Sequence, residues 1–159
     1  MCGIAAIINK RNLTKNPIKT LKNMSKLISH RGPDQAGYLE YNNILLSHVR
    51  LPVMDPRNLG RQPMSNDNKI YIIFNGEIFN FKEIRIKLIE LGYKFISDSD
   101  TEVALNAYKE WGVKSFDQFN GDWVICILDK DENTFLVAKD GLGTKPLYIY
   151  EDQEYLSFC

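Results

Sequence analysis

Met1-Cys2-Gly3-Ile4-Ala5-Ala6-Ile7-Ile8 opens the chain, and the remainder is read from it. Removal of Met1 would make Cys2 the first residue, with a free α-amine and a thiol on one residue. An α-amine has a reference pKa of about 7.7–8.0, so near neutrality a useful fraction is unprotonated. It can act as general base for its own thiol, directly or through one water. The apolar run 4–8 is long enough for a buried strand. A nucleophile at the lip of such a strand is held in place rather than frayed. The plainer alternative is an initiator methionine followed by a core cysteine, and this stretch alone leaves both open.

Working outward, residues 9–16 read as a turn. Pro17 opens a helix over residues 17–28, with Ile18, Leu21, Met24, Leu27 and Ile28 as its apolar stripe. His30-Arg31-Gly32-Pro33-Asp34 is a loop by its Gly-Pro step. Strands at 36–41 and 44–49 flank Asn42-Asn43 as a hairpin. A proline-containing loop fills 51–68, and a loop that long is often functional. The β-branched and aromatic run 70–74 is a buried strand that ends at Asn75-Gly76-Glu77. A helix over 81–91 is closed by Gly92, and a short strand is expected at 93–96. A second helix, 101–111, is capped by Asp100 and closed by Gly112. Phe116 and Phe119 mark a short turn or helix. Strands follow at 122–128, 135–138, 147–150 and 155–158. Many hairpin-linked strands with two or three helices among them is not the alternation of a doubly wound fold. The fold class is α+β, two sheets with helices outside.

The chain has 159 residues, enough for one domain with a sizeable core, and its 20 basic and 20 acidic side chains cancel. Bulk charge therefore gives no case for a nucleic acid or an anionic membrane as partner. Charges between Lys10 and Arg31 are all positive and read as the wet face of one helix; no aromatics interleave with them. Cys2, Cys126 and Cys159 have neither metal spacing nor a paired framework, which points to a reduced, cytoplasmic protein. No run resembles a membrane span or a secretory signal. The chain ends within an apolar strand, so a truncated, C-terminally incomplete domain is expected.

Polar residues gather beside strand ends. Asn75-Gly76 pairs an amide with a glycine N–H, two donors suited to an oxyanion, although Asn-Gly is also a common turn. Arg50 can clamp a carboxylate through two parallel hydrogen bonds. Asp100 and Glu77 can receive an ammonium while also serving a helix start. His30 is a candidate partner for Cys2, but a structural hydrogen bond fits its loop better. His48 is expected near the core, and neither histidine has a metal partner at useful spacing. Gly141-Leu142-Gly143-Thr144-Lys145 lacks the spacing of a phosphate loop, so ATP binding is not read there.

The ordered set of motifs resembles the glutaminase domain of class II glutamine amidotransferases, and within them the glutamine-hydrolysing asparagine synthetases. The stretches that carry it are Met1-Cys2-Gly3-Ile4, His30-Arg31-Gly32-Pro33-Asp34, Ser47-His48-Val49-Arg50-Leu51 with Asp55, and Gln62-Pro63. Asn75-Gly76-Glu77-Ile78-Phe79-Asn80, Ser99-Asp100-Thr101-Glu102 and Asp140-Gly141-Leu142-Gly143-Thr144-Lys145-Pro146-Leu147-Tyr148 continue it. The resemblance implies an N-terminal nucleophile hydrolase fold, a four-layer α-β-β-α sandwich of two antiparallel sheets. It assigns the nucleophile to Cys2 and the oxyanion hole to the Asn75 side chain and Gly76 N–H. Arg50, helped by backbone around Leu51 and Val53, would hold the glutamine α-carboxylate. Glu77 and Asp100, with Gly76, would hold the α-ammonium.

The implied reaction is hydrolysis of glutamine to glutamate and ammonia, with no cofactor or metal in this domain. ATP and Mg belong to the synthetase domain of the family, which this chain lacks. Implied partners are free L-glutamine and the synthetase domain or subunit that takes the ammonia, with a homodimer as a further option. A sugar or another carboxylate as acceptor, or a catalytically silent scaffold or regulatory domain, are the alternatives. The family commonly has arginines flanking the aspartate where Lys139 and Gly141 stand here.

Overall fold

The computed structural model describes residues 2–10, 17–55 and 57–159; the positions expected to form most of the turn before the first helix lie outside them. Strand β1 (Gly3–Asn9) is followed by helix α1 (Pro17–Leu27), β2 (Gln35–Tyr41), β3 (Ile44–Arg50) and β4 (Ile70–Ile78). Helices α2 (Phe81–Glu90) and α3 (Asp100–Trp111) precede β5 (Gly121–Asp129), β6 (Thr134–Lys139), β7 (Ile149–Glu151) and β8 (Tyr155–Phe158). The strands form a five-stranded sheet in the order β2-β3-β1-β8-β7 and a three-stranded sheet in the order β4-β5-β6. Every pairing within the two sheets is antiparallel.

The alternation of side chains along a strand explains the layering. On β1, Ile4 and Ala6 face the second sheet, while Ala5 and Ile7 pack on Leu21 of α1. On β4 and β5, Ile73, Val124, Cys126 and Leu128 face the first sheet. Their neighbours Ile72, Phe74, Trp123, Ile125 and Ile127 pack on α2 and α3 through Ile84, Leu88, Val103 and Leu105. The central strands β1, β3 and β5 are therefore covered on both faces, which is why they read as continuous apolar runs. Lys19, Lys22 and Lys26 lie on the exposed side of α1, as expected of a solvated face.

Four local expectations change. Asn75-Gly76-Glu77 is not a turn after β4 but its continuation, paired with Val124, Trp123 and Asp122 of β5. Gly76 has a φ of 154°, and a Cβ there would lie 2.0 Å from the Asp122 carbonyl oxygen, so the strand continues only because this residue is glycine. Residues 93–96 form no strand; Tyr93 and Phe95 pack against the helix-side core instead, and the Ile96 N–H donates to the Glu102 carboxylate at 3.0 Å. Ser99, not Asp100, caps α3, its hydroxyl accepting from the Glu102 N–H at 3.3 Å. The strand expected at 147–150 is the shorter β7.

β4 is an edge strand, and side chains from the other half of the molecule occupy its free edge. The Phe74 N–H donates to Gln62 Oε1 at 2.6 Å, and the Phe74 carbonyl accepts from His48 Nε2 at 3.1 Å. A carbonyl only accepts, so this bond fixes the tautomer with the proton on Nε2. His48 Nδ1 is left buried and without a partner. Burial pushes the His48 pKa down to about 3. The unfolded chain therefore takes up a proton near pH 6.5 that the folded one refuses, and stability falls as pH drops through that window. The Asp100 shift has the opposite sign, so a variant isolates the histidine: between pH 7 and 5 the stability difference should move in favour of His48→Gln by about 2 kcal/mol. Urea unfolding at the two pH values measures it, and a pH-independent difference would remove the assignment.

Candidate active site

The ladder between β1 and β3 places the candidate nucleophile. Gly3 pairs with Val49, so Cys2 and Arg50 emerge at the same end of neighbouring strands. Gly3 has no room for a side chain: a Cβ would lie 2.8 Å from Val49 Cγ2. The Arg31 Nε–H donates to the Cys2 carbonyl at 2.9 Å, which ties the Cys2 backbone to the His30–Asp34 loop. His30 itself bonds the Leu27 carbonyl at 3.1 Å and lies outside the cavity lining. The Cys2 thiol is 3.7 Å from the Leu51 carbonyl oxygen. Burial pushes its pKa up, partly offset by the contact with the Leu51 carbonyl and, after it, by the Arg50 charge. The resting thiol is therefore protonated at neutral pH and needs a base to react.

A cavity of about 240 Å³ lies against this thiol, and it gathers every site residue read from the sequence. Cys2, Arg50, Leu51, Val53, Asn75, Gly76, Glu77 and Asp100 all line it. Two of them, Asn75 and Glu77, lie on the inward face of β4 with Ile73 by strand alternation. Among the described residues no hydrogen bond occupies the Asn75 side-chain amide, which leaves its donors for a bound group.

Arg50 is 5% exposed, and its guanidinium is held by neutral acceptors. It donates to the Arg57 carbonyl at 3.0 Å, to Gln35 Oε1 at 3.4 Å and to the Asp55 carbonyl. No carboxylate among the described residues pairs with it. The charge is positioned but not neutralised, the state expected of a group that awaits an anion. A Cβ on Gly60 would come within 2.3 Å of Arg50 Nη2, so only glycine permits this packing.

At the acidic end, Asp100 is buried at the start of α3. Its Oδ2 accepts from the Ile78 N–H at 3.1 Å. Burial pushes its pKa up to about 6, and the neighbouring Glu77 charge adds to this, against the backbone donors that favour the anion. Two carboxyl groups facing one buried cavity disfavour each other's ionisation; a bound ammonium would reverse this.

The loop over the cavity is tied to the helix start. The Asp55 carboxylate accepts from Arg57 at 2.7 Å and from the Asp98 N–H at 2.9 Å, and Arg57 reaches on to Asp98 at 2.6 Å. The pairing with Arg57 holds the Asp55 carboxyl well below the usual range. Other lining residues had no role in the sequence reading: Met54, Gly60, Gln62, Phe74, Ser99, Thr101 and Lys145. Gln62 is the clearest omission. Its amide joins Thr101 Oγ1 at 3.1 Å to the Phe74 N–H, one residue before Asn75. A lone glutamine beside a proline carries no sequence signal for that bridge.

The chain is 38% identical over 162 residues to glutamine-hydrolyzing asparagine synthetase 1 of Bacillus subtilis, covering 99% of this chain and 26% of that protein. It is 37% identical over 150 residues to asparagine synthetase 1 (glutamine-hydrolyzing) of Arabidopsis thaliana, covering 94% of this chain and 25% of the other. The chain thus spans about a quarter of the length of these relatives. Among solved structures, the glutamine phosphoribosylpyrophosphate amidotransferase of B. subtilis superposes with a TM-score of 0.82 at 19% identity, over 99% of this chain and 41% of that one. That likeness shows that the two structures share one fold, two antiparallel sheets with helices packed outside. The family described as glutamine amidotransferase domain matches residues 1–159, and the chain belongs to it.

Proposed function

We propose that the chain hydrolyses free L-glutamine to glutamate and ammonia through a γ-glutamyl thioester on Cys2. The ammonia then passes to a synthetase domain or subunit that forms asparagine. The observation that carries this is the cavity itself, with a thiol on its wall, an unpaired guanidinium on one side and two carboxylates on another. The names of the relatives support the acceptor. The amination step, with its ATP and Mg, is assigned to that synthetase part and not to residues of this chain.

The chemistry follows from the groups present. Arg50 holds the α-carboxylate, with Leu51 and Val53 beside it, and Asp100 and Glu77 hold the α-ammonium. Clamping both charges places the side-chain amide at the thiol and excludes peptides, which lack one or both charges. Once Met1 is removed, the Cys2 α-amine takes the thiol proton as sulfur attacks the amide carbon. The Asn75 amide and Gly76 N–H stabilise the resulting oxyanion. The protonated amine gives its proton to the leaving nitrogen, and ammonia departs. Water, deprotonated by the same amine, attacks the thioester; glutamate leaves and the thiol is restored. Such a thiol works in a reducing compartment, consistent with three free cysteines and a cytoplasmic location.

Cys2→Ala should abolish glutamate release while circular dichroism stays unchanged; equal activity would refute the nucleophile. Arg50→Ala should raise KM by roughly tenfold or more with a smaller change in kcat, the loss expected for hydrogen bonds to a charged group.

The pH profile gives a further test. Below about 7.7 the amine protonates, and log kcat/KM should fall with a slope of one. Below about 6 the Asp100 carboxylate is lost as well and the slope should approach two. Asp100→Asn should keep the first break and lose the second.

A further inference from the structure

Lys145 lines the same cavity, yet neither the resemblance nor the mechanism gives it a role. Its position is built rather than incidental. It lies in the loop after β6, which turns around the buried Asp140 carboxylate. That carboxylate accepts from the Trp123 N–H at 3.2 Å, the Thr144 N–H at 3.1 Å and the Lys145 N–H at 3.4 Å. The Gly143 N–H donates to the Asp140 carbonyl at 3.0 Å, and Gly143 has a φ of 69°. Burial alone would raise the Asp140 pKa, but these amide donors hold it below its ordinary value, so the loop is fastened by a fixed anion.

The fastened loop brings one cation to an edge that lacks one. Glu77 and Asp122 are directly opposite each other in the β4–β5 ladder. Opposed residues share a face, and like charges there repel. Lys145 Nζ lies 3.9 Å from Asp122 Oδ2, with its side chain only 17% exposed. That distance is at the outer limit of an ion pair, so the ammonium serves the acidic edge without being locked to one carboxylate. A largely buried amine held this loosely is free to move.

Resting on the proposed glutamine reading, we infer that Lys145 is a specificity-determining residue that acts as the resident counter-ion of the ammonium subsite. In the unliganded cavity its ammonium offsets Glu77 and Asp122. An amino acid that arrives with its own ammonium brings a second cation to Glu77, while Lys145 stays beside Asp122 directly opposite. Two like charges then compete for one acidic edge, and the competition weakens the hold on glutamine. A ligand that has the carboxylate and amide but no amine leaves the lysine where it is. Glutamine affinity is thereby set below what the carboxylates alone would give, which favours release of the product, an amino acid with the same head group.

The test compares two ligands on the whole protein. KM is measured for glutamine, and Ki for glutaramate, which is glutamine without its α-amine. Lys145→Met should lower the glutamine KM by about threefold to tenfold, the scale of one partly screened charge. The kcat should change less than twofold, and the glutaramate Ki should not fall. Lys145→Arg should restore the wild-type KM. An unchanged or higher glutamine KM in Lys145→Met, or an equal fall for both ligands, overturns the inference while leaving the hydrolysis intact. A wild-type protein that neither binds nor hydrolyses glutamine fails the proposed activity first, and this inference with it.

Discussion

The hydrogen bond from His48 to the Phe74 carbonyl joins the two sheets at the point where the chemistry is mounted. On the histidine strand, two residues further along the same face, stands Arg50. On the carbonyl strand the next residue is Asn75. A cross-link of this kind turns two independent ladders into one frame, because a slip of either sheet would break a buried bond and leave a polar group unpaired. Gln62 closes the neighbouring position on the same edge. Most edge strands must be protected from pairing with other chains. Here the protection comes from side chains that also set the distance between Arg50 and Asn75.

The electrostatic plan separates what a salt bridge would join. Arg50 is surrounded by carbonyl oxygens, and Asp100 by backbone amides, so each is held by neutral dipoles. Were the two paired with each other, the cavity would be satisfied and shut. Each remains partly uncompensated instead. The pKa of Asp100, raised by burial first and by Glu77 after it, is the trace of that arrangement on one side; on the other, no carboxylate among the described residues pairs with Arg50. A free amino acid carries both missing charges a few bonds apart.

Much of this was legible in the residues, and the exceptions have physical causes. Continuous apolar runs identify β1, β3 and β5 because both faces of these strands are buried, and the stripe of Ile18, Leu21 and Met24 identifies α1. Asn75-Gly76 misleads because the dipeptide is a turn former, and only the ladder to Trp123 shows that the strand runs on. Asp100 and Ser99 both have capping chemistry; the aspartate is drawn off by the Ile78 N–H, which leaves the serine to cap. Tyr93 and Phe95 look like a strand, yet both pack against the helix-side core instead of joining a sheet. The site residues were nameable through the ordered motifs. Gln62 and Lys145 stand within those motifs but without a role, and Gly60 outside them, since what they do comes from contacts across long sequence separations.

The tie between Asp55, Arg57 and Asp98 has two halves in different surroundings. Asp55 is buried, whereas the Asp98 side chain is 69% exposed and that of Arg57 about half so. Dissolved ions reach the outer half and hardly touch the inner one; at physiological ionic strength the Debye length is about 8 Å. The roof of the cavity is thus pinned twice, once by a bond indifferent to the medium and once by a bond that brine loosens. Concentrated electrolyte would slacken the entrance while the floor stays rigid.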